Sequence, residues 1–271
     1  MRATVPALLC AAMISGCGGS PAPTPASPGP DPPATAAAEV VRVLDGDSVQ
    51  ARVDGAVEEI RMLGIDAPER GECWADSARR AAAAMLEQGP VLFESHGRDQ
   101  YGRTLGYLWA GGALVNARLL EEGHAIAVTG DHPRMEEFRA IEEEAIAARR
   151  GWWAPDACGP PPVAGVRIGE VDGNPPGPDD HPEHGESVLI VNTGTATADL
   201  AGWTIRDESS VHRFVFPEGF SLLPGESVRV FSVCGVHPYC FGRVPVWSNR
   251  GDTALLLDAA GNVADRVRFS G

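Results

Sequence analysis

Hydrophobic and polar residues alternate along most of the chain from Glu39 onward, a pattern that predicts short β-strands. In the first half, the turn pair Asp54-Gly55 separates the runs VQARV and VEEIRML, a combination typical of a β-hairpin. Further strands are predicted at 91–96 and 104–109. Three segments have helix-forming patterns that end at glycine or Gly-Pro: 74–88, 113–122 and 134–150. We therefore expect residues 39–158 to form an α+β domain built on a five-stranded barrel with three helices.

The second half of the chain shows alternating strands without a helical pattern. Its strand-like runs are SVLIVN, WTIRD, HRFVF, SVRVF, TALLLD and ADRVRF. Turns rich in Gly, Pro and Asn separate them at the spacing expected of a β-sandwich. Because three consecutive prolines occupy 160–162, we place a linker at 159–165 and an all-β domain at 166–271.

The N-terminal segment has the composition of a targeting signal. Arg2 precedes an apolar run, Ala3 to Ile14, which is too short to cross a bilayer and long enough for a signal peptide. The run ends in Ile-Ser-Gly-Cys, which resembles the bacterial lipobox, so residues 1–17 are predicted to be a lipoprotein signal with a lipid on Cys17. An ordinary secretory signal is the alternative. Residues 18–38, rich in Pro and Ala, are predicted to be an unfolded linker. The expected location is extracytoplasmic, on a bacterial membrane at the cell surface or in the periplasm.

Four cysteines follow the predicted anchor. In an exported chain an even number favours disulfides, and no Cys-x-x-Cys spacing supports the competing idea of a zinc site. Pairs that stay within one predicted domain are Cys73 with Cys158 and Cys234 with Cys240.

The formal net charge of -15 argues against a broad basic face for nucleic acid, and the chain contains no lysine. Such an acidic balance is typical of a soluble exported protein. If the chain acts on DNA or RNA, it must do so at a local site.

Candidate chemistry is concentrated between Asp45 and Arg103. The segments VLDGDSV, IRMLGIDAPE and RDQYGRTLGYLW carry the residues Asp47, Arg61, Asp66, Glu69 and Arg103. Carboxylates suit Ca²⁺, a guanidinium suits a phosphate, and a carboxylate can accept a proton from water. By itself, Asp45-Gly46 is more often a simple turn, but the second acidic segment twenty residues later strengthens the functional interpretation.

These three segments, in this order and spacing, resemble the thermonuclease (micrococcal or staphylococcal nuclease-like) family, which has an OB-fold. The resemblance implies that Asp47, Asp66 and the carbonyl of Ala67 bind one Ca²⁺. It assigns Glu69 to the attacking water, Arg61 and Arg103 to the phosphate and its transition state, and Tyr101 to substrate binding.

The same resemblance implies Ca²⁺-dependent hydrolysis of DNA and RNA with little sequence specificity and with 3′-phosphorylated products. Gln100 and Thr129 depart from the family, which commonly has a basic residue and a base-stacking tyrosine there, so base preference stays open. One alternative is a catalytically inactive nuclease-fold module that binds nucleic acid or protein. Another is a structural envelope protein in which the nuclease is vestigial.

Residues 166–271 resemble the lamin tail domain, an immunoglobulin-like sandwich. The resemblance rests on IGEVDGNPPG, ESVLIVNTG, LAGWTIRD, FPEGFSLLPGESVRVFS and VWSNRGDTALLLDAAGNV. It implies a fold but no ligand. Contact with cell wall, polysaccharide or extracellular DNA is a hypothesis for this domain, and we expect a monomer.

Overall fold

The structure, a computed structural model, describes residues 35–181, 184–209 and 211–270. These residues belong to one compact unit. The predicted signal peptide, Cys17 and most of the predicted linker lie outside the described residues. Within the described ranges, no helix combines the length and the apolar character needed to cross a membrane.

The N-terminal half is a closed five-stranded barrel with three helices, as expected for an OB-fold. We call residues 35–158 the barrel region. Its strands are β1 (Thr35–Val43), β2 (Ser48–Val53), β3 (Ala56–Met62), β4 (Ile65–Asp66), β5 (Val91–Arg98), β6 (Thr104–Ala110), β7 (Ala113–Leu114) and β8 (Ile126–Ala127). The main sheet has the order β3-β2-β1-β5-β6-β7, and a parallel pairing of β3 with β6 closes the barrel.

Three helices complete the barrel region: α1 (Ala75–Leu86), α2 (Val115–Glu121) and α3 (Met135–Ala147). A short 3-10 helix, Gly151–Trp153, follows. α1 buries Ala75, Ala78, Ala82, Met85 and Leu86, a spacing of three and four residues that gives it one apolar face. This face packs into the barrel core.

The C-terminal half contains only strands, and we call residues 166–270 the sandwich region. Its strands are β9 (Val166–Asp172), β10 (Ser187–Asn192), β11 (Ala198–Asp199), β12 (Thr204–Arg206), β13 (Arg213–Val215), β14 (Ser221–Leu222), β15 (Ser227–Val233), β16 (Cys240–Gly242), β17 (Asp252–Leu257) and β18 (Val263–Phe269). Two four-stranded sheets, β16-β15-β10-β9 and β13-β12-β17-β18, enclose a core that includes Trp203 and Trp247. This arrangement agrees with an immunoglobulin-like sandwich.

A shared hydrophobic cluster joins the two regions. Ile126, Ala145, Trp152 and Trp153 of the barrel region pack with Leu255 and Leu257 of β17. The Trp152 indole Nε1 donates a hydrogen bond to the Gly261 carbonyl over 3.0 Å. Sequence patterns give no hint of this contact, because each of these residues could equally belong to the core of its own region.

Both predicted disulfides are present. Cys73 and Cys158 connect the start of α1 to the end of the barrel region across 85 residues of sequence, and Cys234 and Cys240 connect β15 to β16. A cross-link that closes a long loop lowers the entropy of the unfolded chain. In the loop-entropy model this stabilises the folded state by about 4 to 5 kcal/mol.

The predicted element limits need three corrections. β1 begins at Thr35, inside the predicted linker, because Thr35–Ala38 pair through their backbones with β5 and this pairing does not depend on side-chain pattern. Ala113 and Leu114 form β7 rather than the first turn of a helix. The third helix ends at Ala147, three residues before the predicted end.

Candidate active site

The site is built where β2 begins and β3 ends. Ser48, the first residue of β2, pairs with Arg61, so Asp47 lies beside the last residues of β3. The Met62 backbone N–H donates to the Asp47 carbonyl over 2.7 Å and fixes this register. Arg61 and Asp66 then lie on either side of the short β3–β4 connection, close to Asp47.

A glycine makes the close approach of this turn possible. A Cβ atom on Gly46 would lie 2.5 Å from Cβ of Ala67 and 2.7 Å from Cβ of Ala78 on α1. Any side chain at this position would therefore push the turn away from the Asp66–Ala67 segment. The Asp45-Gly46 pair, whose simplest interpretation is a turn, is also required by the packing of the site.

Asp47 and Asp66 converge on the Arg61 guanidinium. Arg61 Nη1 forms an ion pair with Asp47 Oδ1, and Arg61 Nη2 lies 2.6 Å from Asp66 Oδ1. The other Asp47 oxygen, Oδ2, accepts a hydrogen bond of 2.5 Å from the Ala67 backbone N–H. Four of the predicted site residues, Asp47, Arg61, Asp66 and Ala67, are thus brought into direct contact.

Burial controls the electrostatics of this group. Loss of solvent raises the pKa of Asp47 to about 8, although the Arg61 guanidinium acts in the opposite direction, and the nearby charges of Asp66 and Asp45 add to the rise. Burial alone would lower the pKa of Arg61, but the negative charges of Asp47, Asp66 and Asp45 raise it. Within the barrel region, two carboxylates, Asp47 and Asp66, thus share the single guanidinium of Arg61.

This donor set fits a hard divalent cation. Within the described part of the chain, no three His, Cys, Asp or Glu side chains converge so that they could hold a metal ion by themselves. Asp47 and Asp66 would supply two carboxylates, and a Ca²⁺ ion commonly completes its shell with backbone carbonyls, water and substrate oxygens. Burial raises the pKa of Asp47, and a cation bound there would act in the opposite direction by stabilising the charged carboxylate.

Glu69 lies in the exposed turn that follows β4. Its backbone N–H donates to Glu72 Oε2 over 2.6 Å. Pro68 is buried, so the turn that carries Glu69 is packed against the protein while the Glu69 side chain faces solvent. Glu69 therefore lies three residues after Asp66, in an exposed turn that continues from the Asp47–Arg61–Asp66 group.

Arg103 and Tyr101 lie in the loop between β5 and β6. Asp99 organises this loop: its Oδ1 accepts from the backbone N–H groups of Tyr101 and Arg103, and its Oδ2 accepts from Arg103 Nε over 2.7 Å. These bonds outweigh the effect of burial and lower the pKa of Asp99. The Arg103 guanidinium lies 5.8 Å from the centre of the Tyr101 ring, whose residue is 74% exposed. Gly102, at φ 86°, allows the loop to turn.

The register of the barrel brings this loop next to Arg61. Thr104, which follows Arg103, pairs with Ile60, and Leu105 pairs with Arg61. Arg103, in the loop that leads into β6, therefore lies two residues before the position that pairs with Arg61.

One residue of the site comes from the sandwich region and was missed by sequence analysis. Arg206, at the end of β12, reaches Asp66 with its Nη2 atom 2.7 Å from Asp66 Oδ2. Its Nη1 lies 3.8 Å from Glu72, which also pairs with Arg213. The only sequence signal was an arginine in the short strand WTIRD, and such a residue is normally expected on a solvent-facing surface.

The sandwich region also borders the site with carboxylates. A cavity of about 370 Å³ is lined by Arg61, Asp66 and Thr129 of the barrel region and by Asp207, Glu208 and Asp252 of the sandwich region. The Thr129 hydroxyl donates to Glu208 Oε1 over 2.7 Å. Burial raises the pKa of Asp207 and of Asp252 to about 6 and also raises the pKa of Glu208.

Comparisons with known proteins identify families for both regions of the chain. The family model described as staphylococcal nuclease homologue matches residues 59–155, and the lamin tail domain matches residues 160–271. Protein ParB of Escherichia coli is 36% identical over 127 residues, which cover 43% of this chain and 71% of the relative. Micrococcal nuclease of Shigella flexneri is 35% identical over 126 residues, with coverage of 43% and 72%. Thermonuclease of Staphylococcus hyicus is 27% identical over 128 residues, with coverage of 43% and 75%.

Proposed function

Since the chain belongs to the staphylococcal nuclease family and carries a lamin tail domain after the nuclease region, we propose that it is a Ca²⁺-dependent nuclease acting on DNA and RNA. The observation that carries the proposal is the convergence of Asp47 and Asp66 on Arg61, with Glu69 and Arg103 in adjoining loops.

The roles we propose follow from the chemistry of each group. Asp47, Asp66 and the Ala67 carbonyl would hold Ca²⁺, which as a Lewis acid withdraws charge from a bound phosphate oxygen. The exposed Glu69 carboxylate accepts the proton of the attacking water. Arg61 and Arg103 donate hydrogen bonds to phosphate oxygens and stabilise the extra negative charge of the transition state. For this role Arg61 exchanges at least one of its ion pairs for the substrate.

Substrate binding must overcome the negative net charge of the protein, so arginines close to the site are needed to contact phosphates. A cavity of about 770 Å³ is lined by Arg42, Arg70 and Arg79 and by the carboxylates Asp45, Glu72 and Asp76. The arginines can contact individual phosphates without base specificity, although the carboxylates balance their formal charge. We propose that the strand being cleaved passes along this cavity.

We further propose that the chain is exported and anchored by a lipid on Cys17. The Ile-Ser-Gly-Cys motif and the Pro-rich segment after it support this location. Two or three acyl chains on one cysteine would give stable membrane attachment.

One experiment tests activity and location together. Cells that express the full chain are separated into membrane and soluble fractions, and each is assayed on single-stranded DNA and on RNA with Ca²⁺ or with a chelator. We expect Ca²⁺-dependent degradation in the membrane fraction, and its transfer to the soluble fraction in Cys17→Ala. Substrate binding without degradation would instead indicate an inactive nuclease-fold module.

A further inference from the structure

Both oxygens of the Asp66 carboxylate are bound by guanidinium groups, one from each region of the protein. Oδ1 lies 2.6 Å from Arg61 Nη2, and Oδ2 lies 2.7 Å from Arg206 Nη2. The Arg206 side chain is 1% exposed and that of Asp66 is 6% exposed, so water hardly reaches this contact. In such surroundings an ion pair is strongly directional and is not weakened by solvent.

The sandwich region fixes Arg206 in place. Its Nε donates to the Asp207 carbonyl over 3.1 Å, and its Nη2 also donates to the Glu208 carbonyl over 3.2 Å. A guanidinium is a planar fork with donors in fixed directions, so these bonds set the angle at which it meets Asp66. The orientation of the Asp66 carboxylate is therefore determined by the backbone of the sandwich region.

The rest of the interface does not need a charge at this position. The shared hydrophobic cluster and the pairing of Arg266 with Glu142 already join the two regions elsewhere. Transferring two charged groups out of water has a large desolvation cost, and apolar residues often stabilise an interface as well as a buried ion pair does. The contact of buried Arg206 with Asp66, a candidate metal ligand, is therefore better explained by an effect on the Asp66 carboxylate than by a contribution to interface stability.

We propose that Arg206 is a positioning residue of the nuclease site, and that the sandwich region is thereby an integral part of it. This inference rests on the proposed function. Arg206 binds one lone-pair direction of Oδ2 and prevents the carboxylate from rotating, while each Asp66 oxygen keeps a further lone pair for another ligand. Groups that hydrogen-bond to metal-binding carboxylates commonly change metal affinity or activity by about 10- to 100-fold when they are replaced.

The test replaces Arg206 by lysine, which keeps the positive charge and removes the fork. Arg266→Lys is the matched control, because Arg266 also crosses the interface to a buried carboxylate, at 2.8 Å, but its partners are Glu142 and Glu143 and not Asp66. The full chain is titrated with Eu³⁺, and luminescence lifetimes in H₂O and D₂O count the water molecules on the bound ion. Steady-state kinetics on single-stranded DNA with Ca²⁺ are measured in parallel.

For Arg206→Lys we expect about one more water molecule on Eu³⁺ and a kcat lowered about 10-fold or more, with little change in KM for DNA. Arg266→Lys should match the wild type in the number of water molecules on Eu³⁺, in kcat and in KM. The inference is overturned if Arg206→Lys keeps the wild-type hydration number and kcat, or if Arg266→Lys changes both equally. A crystal structure of the wild-type chain with Eu³⁺ in which Arg206 has left Asp66 would also overturn it, without any variant.

Failure of the proposed function gives a different result. In that case the wild-type chain itself shows no Ca²⁺-dependent hydrolysis, whatever residue occupies position 206. An active wild-type chain with an indifferent Arg206→Lys variant overturns only the role of Arg206.

Discussion

At the residue scale, the Asp47–Arg61–Asp66 group depends on packing more than Glu69 does. Asp47 and Asp66 are buried, and both form ion pairs with the Arg61 side chain, which is 15% exposed, so replacing any of the three changes both stability and chemistry. Glu69 is exposed, so its chemistry can be tested separately from the fold.

We expect Glu69→Gln to lower kcat by about 10²- to 10⁴-fold, because an amide cannot accept the proton of the attacking water. The melting temperature should stay within the error of the wild type, since exposed substitutions rarely change stability by more than about 0.5 kcal/mol. Steady-state kinetics with Ca²⁺ and calorimetry measure the two effects. Glu121→Gln, an equally exposed carboxylate on α2, is the control and should keep full activity. A wild-type kcat in Glu69→Gln would remove Glu69 from the mechanism.

At the element scale, α3 is held to the sandwich region by one buried carboxylate. Glu142, 1% exposed, accepts from Arg266 and Arg268 of β18 and from the Ala127 backbone N–H of β8. A carboxylate in the middle of a helix usually faces solvent, but here β18 supplies the cations that make its burial possible.

We expect Glu142→Ala to lower the free energy of unfolding by about 3 to 5 kcal/mol, because both arginines lose their buried partner. Glu143→Ala is the matched control: its carboxylate pairs with the same Arg266, but it is 55% exposed, so the loss should be about 1 kcal/mol or less. Equilibrium unfolding in urea measures both. Similar losses in the two variants would show that burial does not determine the strength of this contact.

At the scale of the whole molecule, the acidic groups between the two regions make stability depend on pH. Burial raises the pKa of Asp207 and of Asp252 to about 6, from an ordinary value near 3.8. The folded protein therefore binds more protons than the unfolded chain between these values. Their contribution to stability is complete below pH 3.8 and is lost as the pH rises through about 6.

With a chelator present, we expect these two groups to lower the free energy of unfolding as the pH rises from about 4 to about 6. The raised pKa values of Asp207 and Asp252 together would lower the free energy of unfolding by several kcal/mol, since one pKa unit corresponds to about 1.4 kcal/mol. Urea unfolding at a series of pH values measures how steeply the free energy of unfolding changes with pH. This pH dependence should be weaker in Asp252→Asn. Stability that rises with pH across this window would contradict the assigned shifts.

The sequence by itself determined the elements, the disulfide pairs and the chemical identity of the site. Strand alternation, the Asp54-Gly55 turn and the Gly-Pro stop after α1 are local signals, because they depend on backbone geometry within a few residues. The site residues were predicted on a different basis: the segments that carry Asp47, Arg61, Asp66 and Glu69 resemble those of a known family in order and spacing.

Only the tertiary structure shows that the sandwich region contacts the candidate site residues. Arg206 lies 140 residues beyond Asp66, and its burial depends on the angle at which β12 meets the β3–β4 connection. The contact between Glu208 and Thr129, and that between Glu142 and β18, depend on the same docking. Sequence patterns record which face of an element is apolar, but they do not record which other element covers it. The partner of a buried charge is therefore decided by the packing of the whole molecule.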